Sequence, residues 1–334
     1  MKPVVLGAAG FLGLNLVDAL QAEGVEPRCA RRKRTNVLAL RQRKVPMVHA
    51  DLDEPAQLEA AFAHADVVFH LAGHYPRLSL HPDAARATGL RQLDNVLDAA
   101  AKAGVRRVVY VSSTATVAPA PGGGPSSEAH VYDDAPHHGT YHQLKWHMEA
   151  RALREERLEV LVACPSACLG PWDLRVGTSA LLVATARGLD VPHPDGFVAW
   201  VDARDVALGL VRLGQHPSPA RRVILSGGGM QLQPLLEELA RRYEVAPPSA
   251  PLSAAAALAF CDAEERRAEE EGGRPALARE LADLIIHGVP LDAALARRTL
   301  GLSFRPLSTT LDAFDDWARR VRILPSSPRE ENRA

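Results

Sequence analysis

Short apolar runs alternate with helical stretches through the first half of the chain. The runs "PVVLG" (3–7), "EPRCARR" (26–32), "KVPMVHADL" (44–52), "DVVFHLAG" (66–73), "VRRVVYVSS" (105–113) and "LEVLVACPS" (158–166) read as strands, the second more weakly than the others. Between them, "FLGLNLVDALQAEG" (11–24), "EPAQLEAAFAHA" (54–65), "PDAARATGLRQLDNVLDAAAKAG" (82–104) and "YHQLKWHMEARALREE" (141–156) read as helices. Gly24 and Gly104 are natural helix stops, and Pro55 suits a first helical turn. The strands are continuously apolar rather than alternating, so both faces of the sheet must be covered. Strands and helices in turn, with buried strands, predict a doubly wound parallel sheet in an α/β fold.

The second half is less regular. "VAWVDARDVALGLVRLG" (198–214) reads as a strand leading into a helix, "RRVILSGG" (221–228) as a strand and "STTLDAFDDWARRVRIL" (308–324) as a final amphipathic helix. The charge run "EERRAEEEGGRP" (264–275) reads as a solvated face or loop. The expected division is a nucleotide-binding domain over 1–166 and a smaller α/β lobe over 167–325, with an element returning to the first domain. Residues 326–334 are expected to fray.

Composition narrows the function classes. With 334 residues, 47% hydrophobic and 24% charged, the chain can build a sizeable core. The formal net charge of -1 gives no broad field for nucleic acid or an anionic membrane. A small-molecule substrate is the expected partner. Four cysteines, at 29, 164, 168 and 261, are too few for a disulfide scaffold and read as reduced thiols of a cytoplasmic protein. The apolar N-terminus is interrupted by glycine and carries Asn15 and Asp18, so a strand and helix explain it better than a signal peptide. There is no uninterrupted apolar run of about 20 residues to span a membrane.

Ligands of doubly wound sheets bind beyond the carboxyl ends of the strands. The first such end is "GAAGFLG", with Gly7, Gly10 and Gly13 between a strand and a helix. A sharp turn, a close approach of backbone to a pyrophosphate and tight helix–strand packing each require glycine. The helix start at Phe11 and Leu12 then offers N–H groups to phosphate. This is a Rossmann-type reading. The second strand ends in Arg31, Arg32, Lys33 and Arg34 with no acid to bind a ribose 2′-hydroxyl. An arginine pairs bidentately with a 2′-phosphate, which favours NADP and leaves NAD open. The pattern does not choose between Arg31 and Arg32.

Taken in order, these segments resemble the extended short-chain dehydrogenase/reductase superfamily, of the NAD-dependent epimerase/dehydratase type and especially its dihydroflavonol-reductase-like members. "GAAGFLG" resembles the glycine motif, with Leu6 where threonine is common. "ADLDE" resembles the adenine-contacting pair, carried to Asp51 and Leu52. "VVFHLAG" resembles the stretch under the cofactor, carried to Leu71, Ala72 and Gly73. "VVYVSSTATV" resembles the strand ending in the catalytic hydroxyl, whose counterpart is Thr114, with Ser112 beside the cofactor. "YHQLKWHME" resembles Tyr-x-x-x-Lys with its trailing glutamate, Leu144 replacing a frequent serine. "ACPSACLGP" resembles the segment flanking the nicotinamide, carried to Pro165 and Ser166, with Cys164 where arginine or asparagine is usual. The late stretches "WVDARDVALG" and "ARRTLGLSFRPLSTTLDAFDDWARR" also match. The C-terminal lobe is then the substrate-binding one.

The resemblance implies hydride transfer at nicotinamide, with Tyr141 moving the proton. A tyrosine pKa of about 10 is high for this work. Lys145 lies one helical turn away on the same face, and its charge would lower that pKa. The resemblance also implies that Lys145 holds the nicotinamide ribose and that Thr114 donates to the substrate oxygen. Ser112 or Ser113 takes that role if the register is shifted. His137, His138 and His142 lack a carboxylate or cysteine at zinc-like spacing, so no metal is expected, and a solvated or substrate-facing role is preferred. Sugar-nucleotide enzymes of this type often carry an arginine just before the late Val-x-Asp motif. Here "DGFVAWVDARD" offers Val198 and Ala199 between Phe197 and Trp200, which favours an uncharged substrate and a reductase. Residues 118–128, "APAPGGGPSSE", read as a mobile loop over the site. The alternatives are a nucleotide-sugar epimerase or dehydratase and a non-catalytic NADP sensor. The resemblance also suggests a homodimer through the helices around 82–104 and 141–156.

Overall fold

The computed structural model describes residues 1–75, 78–218 and 220–325. The expected fraying of 326–334 therefore lies outside the described residues. The first half runs β1 (Pro3–Leu6), α1 (Phe11–Ala22), β2 (Arg28–Arg31), α2 (Leu38–Gln42), β3 (Met47–His49), α3 (Pro55–Phe62), β4 (Val67–His70), α4 (Pro82–Lys102), β5 (Arg107–Val111), α5 (Thr140–Leu153) and β6 (Glu159–Pro165). The second half runs β7 (Ala167–Leu169), α6 (Ala180–Ala186), β8 (Phe197–Asp202), α7 (Ala203–Gln215), β9 (Arg222–Leu225), β10 (Gly228–Gln231), α8 (Leu232–Tyr243), α9 (Ala254–Glu271), α10 (Arg279–Ile286), α11 (Ala294–Leu300) and α12 (Leu307–Arg320).

Seven strands form one parallel sheet in the order β3-β2-β1-β4-β5-β6-β9. The order reverses between β1 and β4, which makes that gap the switch point where a ligand is expected. Side chains alternate across each strand, so the sheet has two cores. Val4, Val68, Val108 and Val160 pack against Leu58, Phe62, Leu93, Leu97 and Leu144 of α3, α4 and α5. Val5, Val67, Phe69, Val109 and Leu161 pack against Leu14, Val17, Leu20, Val206 and Leu210 of α1 and α7. Each such fully buried leucine contributes about 1.5–3 kcal/mol of transfer free energy, which explains the unbroken apolar runs.

The chain after β6 departs from the sheet and returns with α7 and β9, while β10, β8 and β7 form a separate three-stranded sheet. Helices α6, α8 and α12 close a third core around Leu182, Leu236, Leu239, Phe314 and Trp317. The charge run at 264–275 is a helix end followed by a loop, largely exposed, with Glu265 and Ala268 turned inward. Residues 264–271 complete α9, which ends at Gly272. Glu265 is buried there because its carboxylate accepts from the backbone N–H groups of Ser79 and Arg279. Charge alone could not distinguish a solvated face from one that caps neighbouring backbone. No described helix is long and apolar enough to cross a membrane.

Candidate active site

The glycine loop closes directly on the switch point. Gly7 has φ +85°, and a Cβ there would lie 2.8 Å from the Ala72 backbone nitrogen. A Cβ on Gly13 would lie 2.8 Å from Ala8 Cα and closer still to the Gly7 carbonyl oxygen. Gly10, the N-cap of α1, supplies no side-chain cap, so the first N–H groups of the helix stay available for an anion. Leu71 joins β1 through its N–H to the Leu6 carbonyl (3.1 Å), which brings Leu71, Ala72 and Gly73 beside the loop. Arg31 ends β2 and Arg32 follows it, exposed, in a turn closed by Thr35. The positive charge of Arg32 helps to hold the Asp53 carboxyl below its usual range, after the larger effect of hydrogen bonds from Arg91. Asp51 and Leu52 follow β3, and Leu52 is pinned by Asn95 Nδ2 on its carbonyl (2.8 Å). Pro165 ends β6, and Ser166 binds the Leu225 carbonyl through its N–H (3.0 Å). These residues fit a dinucleotide, since the cradle is one that any side chain would fill.

Helix α5 supplies the acid–base candidates. Lys145 Nζ donates to the Val111 carbonyl (3.3 Å) and lies 5.8 Å from the Tyr141 ring centroid. Burial pushes the Lys145 amine down, opposed by Glu280 and Glu149. Burial pushes the Tyr141 phenol up, Glu280 adds to this, and a hydrogen bond with Ser113 pulls the other way. Burial is the main influence on the Tyr141 phenol, and it runs against the lowering expected from Lys145. The hydroxyl that meets Tyr141 is that of Ser113. Thr114 begins a single 3-10 turn that Ser113 caps by accepting from Ala115 N–H (3.2 Å), which directs Ser113 toward α5.

Ser112, expected beside the cofactor, commits its hydroxyl elsewhere: it donates to Glu149 Oε2 at 2.5 Å. Thr116 Oγ1 donates to the same oxygen (2.7 Å), and Arg222 of β9 pairs with Oε1 (2.6 Å). Cys164 lies beneath, buried, its thiol pushed up by burial. Glu149 is therefore the anchor of the strand end that carries Ser113. Residues 118–128 are likewise anchored. Ser126 is fully buried, its N–H on the Pro290 carbonyl (2.8 Å), and Glu128 Oε1 accepts from Ile224 N–H (2.9 Å). Gly and Pro preclude a regular element there, yet Ser126 ties the loop to Pro290 and Glu128 ties it to β9.

The lobe adds groups that the sequence pattern did not select. Glu280, in the first turn of α10, accepts from the Tyr75 hydroxyl 205 positions away. The Tyr75 ring stands 5.5 Å from the Tyr141 ring. Burial raises the Glu280 carboxyl to about 7. His287, at the end of α10, stacks on His138 with ring centroids 3.6 Å apart, and His142 meets His138 edge-on at 5.2 Å. His138 and His142 are thus packed against the lobe rather than solvated, and no metal-holding cluster occurs among the described residues. A cavity of about 130 Å³ opens between Leu71, Gly73, Tyr75, Tyr110, Lys145 and Met148. Nothing local marks Glu280 or His287 in the sequence, because only folding brings α10 over α5.

Comparison with known proteins agrees with this geometry. A dihydroflavonol 4-reductase-like protein of Synechocystis sp. is 26% identical over 319 residues, 93% of this chain and 92% of its own. Cinnamoyl-CoA reductase 1 of Oryza sativa subsp. japonica is 30% identical over 264 residues, 72% of this chain and 76% of its own. The crystal structure of a nucleoside-diphosphate-sugar epimerase from Pseudomonas aeruginosa superposes with a TM-score of 0.81 at 26% identity, covering 97% of this chain and 99% of that one. The family model for the NAD dependent epimerase/dehydratase family matches residues 4–225, which contain the glycine loop, Tyr141, Lys145 and the returning strand β9. The chain belongs to the NAD dependent epimerase/dehydratase family, within the extended short-chain dehydrogenase/reductases, and is an NAD(P)-dependent oxidoreductase.

Proposed function

We propose that the protein reduces the carbonyl of a small, largely uncharged substrate with NADPH, oxidation of the secondary alcohol being the same step reversed. The observation that carries this reading is the placement of Tyr141 on α5 one turn before Lys145, whose Nζ lies 5.8 Å from the ring centroid. A phenol so placed can donate its proton, as carbonyl reduction requires. The nicotinamide cofactor, when bound, supplies the hydride. Tyr141 gives its proton to the substrate oxygen, Lys145 stabilises the phenolate left behind, and Ser113, with Thr114 next to it, orients the hydroxyl groups. Glycines 7, 10 and 13 with Phe11 and Leu12 would hold the pyrophosphate. Asp51 and Leu52 would contact adenine, and Leu71, Ala72, Gly73, Pro165 and Ser166 would flank the nicotinamide half.

Arg31 and Arg32 support NADP over NAD, because guanidinium groups stand where an acid would read a free 2′-hydroxyl. Val198 and Ala199 on β8 support an uncharged substrate, and the two curated relatives named above are both reductases. The epimerase reading draws on the fold likeness to the Pseudomonas aeruginosa enzyme. The two readings part on stoichiometry: a reductase consumes NADPH in step with product, whereas an epimerase returns its cofactor unchanged. Steady NADPH consumption with a carbonyl panel, abolished in Tyr141→Phe, is the expected result. Retained activity in that variant overturns the mechanism. Association as a homodimer through α4 and α5 belongs to the same reading, and sedimentation of the purified chain tests it.

A further inference from the structure

Glu280 is placed with more care than a surface acid requires. Its helix α10 is fixed at both ends. At the start, Arg279 donates its backbone N–H to Glu265 Oε1 (3.1 Å) and pairs with Asp262 and Asp283. At the end, His287 stacks on His138. In the middle, Asp283 approaches the Gly139 backbone so closely that a Cβ there would collide with the carboxylate. The start of α5 and the start of α10 are thus held as one unit, which sets Glu280 over Tyr141 and Lys145.

The carboxylate lies behind the cleft wall and meets it through Tyr75, whose ring stands 5.5 Å from that of Tyr141. Its hydrogen-bond donor, Tyr75, ends the segment that lines the cavity, and that large side chain is 63% exposed. Glu280 acts electrostatically on both Tyr141 and Lys145, so its charge lies within reach of the reacting centre. The groups around it are Tyr75, Lys145, Glu265, Asp283 and Tyr141. Burying a carboxylate is costly unless it is hydrogen-bonded. A structural α10 could place an apolar residue at this position, whereas a carboxylate acceptor beside the proton donor has a use in recognition.

We propose that Glu280 is a substrate-recognition residue: it accepts a hydrogen bond from a hydroxyl group carried next to the reacting carbonyl, so the pocket selects hydroxylated carbonyl compounds and rejects carboxylates. The Tyr75 hydroxyl marks the place of that donor. Above about pH 7, where Glu280 is ionised, a neighbouring carboxylate on the substrate would instead meet its charge. The inference rests on the reductase reading and adds the substrate class to it.

Three probes sharing one ring test it: 2-hydroxyacetophenone, acetophenone and phenylglyoxylate. Their dissociation constants are measured well above pH 7, where Glu280 is ionised, on the enzyme–NADPH complex by cofactor fluorescence, for the wild type, Glu280→Gln and Glu280→Ala. A hydrogen bond to a charged group gives the wild type about tenfold preference or more for the hydroxyketone over the plain ketone. Glu280→Ala reduces that preference to within about threefold. Glu280→Gln keeps part of it, since the amide oxygen still accepts, and binds phenylglyoxylate more tightly than the wild type does. Equal affinities in the wild type, or an undiminished preference in Glu280→Ala, overturn the assignment. Failure of the wild type to bind NADPH counts against the reductase reading itself. NADPH binding with no discrimination among the probes sinks only the role of Glu280.

Discussion

Arg222 of β9 and Glu149 of α5 form a buried ion pair, Nε to Oε1 2.6 Å, directly behind the strand end that carries Ser113. The same guanidinium donates through Nη2 to Thr116 O (2.8 Å) and Oγ1 (2.9 Å), so one arginine from the returning strand fixes both the helix and the loop of the site. Removing one partner leaves a charge without compensation. Glu149→Ala is expected to cost about 3–5 kcal/mol, read as a shift in the urea midpoint at constant slope. Glu149→Gln should cost less, because an amide oxygen still accepts from Ser112 and Thr116. Equal losses in the two variants would falsify the charge argument.

Tyr141→Phe removes the proton donor and little volume. Turnover is expected to fall by about 10²–10⁴, the usual contribution of a positioned acid. NADPH affinity and the thermal midpoint should stay near the wild-type values, since the ring remains packed beside Tyr75. A matching fall in NADPH affinity would instead assign Tyr141 to cofactor binding.

The basic end of β2 separates the two cofactors. The double variant Arg31→Ala, Arg32→Ala should weaken NADPH binding about ten- to a hundredfold, the worth of lost charge-assisted hydrogen bonds. NADH binding should change less than about threefold, since the lost groups would meet only the 2′-phosphate. Titration of both cofactors by fluorescence reads the ratio directly, and an unchanged ratio rejects the arginine assignment.

Gly13→Ala tests the cradle. The new Cβ would overlap the Gly7 carbonyl and Ala8, so α1 must move away from β1. Overpacking of this kind costs about 1–3 kcal/mol, and the displaced helix start should also lose NADPH affinity. Gly24→Ala is the control. It meets nothing within 4 Å, though its φ of +69° carries some strain, so it should lower stability without touching cofactor affinity.

Two buried histidines give stability a pH dependence of definite sign. Burial lowers His142 and His70 from 6.5 to about 3. Their depressed folded values mean that the unfolded chain binds protons first as pH falls. The stability they permit is complete above about pH 6.5 and is lost on going down toward pH 3, by up to about 1.4 kcal/mol per pH unit for each. Glu280 opposes this, because its raised value removes stability as pH rises from 4.5 to about 7. The histidines outnumber it, so urea midpoints should fall between pH 7 and pH 5. His142→Asn should flatten that fall, and a slope identical to the wild type would remove His142 from the account.

The sequence by itself determined the sheet, the cradle and the chemistry of α5. Buried strands must be apolar throughout, a turn with positive φ at Gly7 must lack a Cβ, and Tyr141 and Lys145 share a helical face because they are four residues apart. Those constraints are local, so they leave marks in neighbouring residues. Tertiary structure alone decided the rest. It turned Ser112 to Glu149 and Ser113 to Tyr141, pushed the phenol up through burial and Glu280, and brought His287 and Glu280 onto α5 from a lobe helix. Desolvation and long-range contact depend on what surrounds a group in space, and a residue 205 positions away leaves no periodicity beside Tyr75 to announce it.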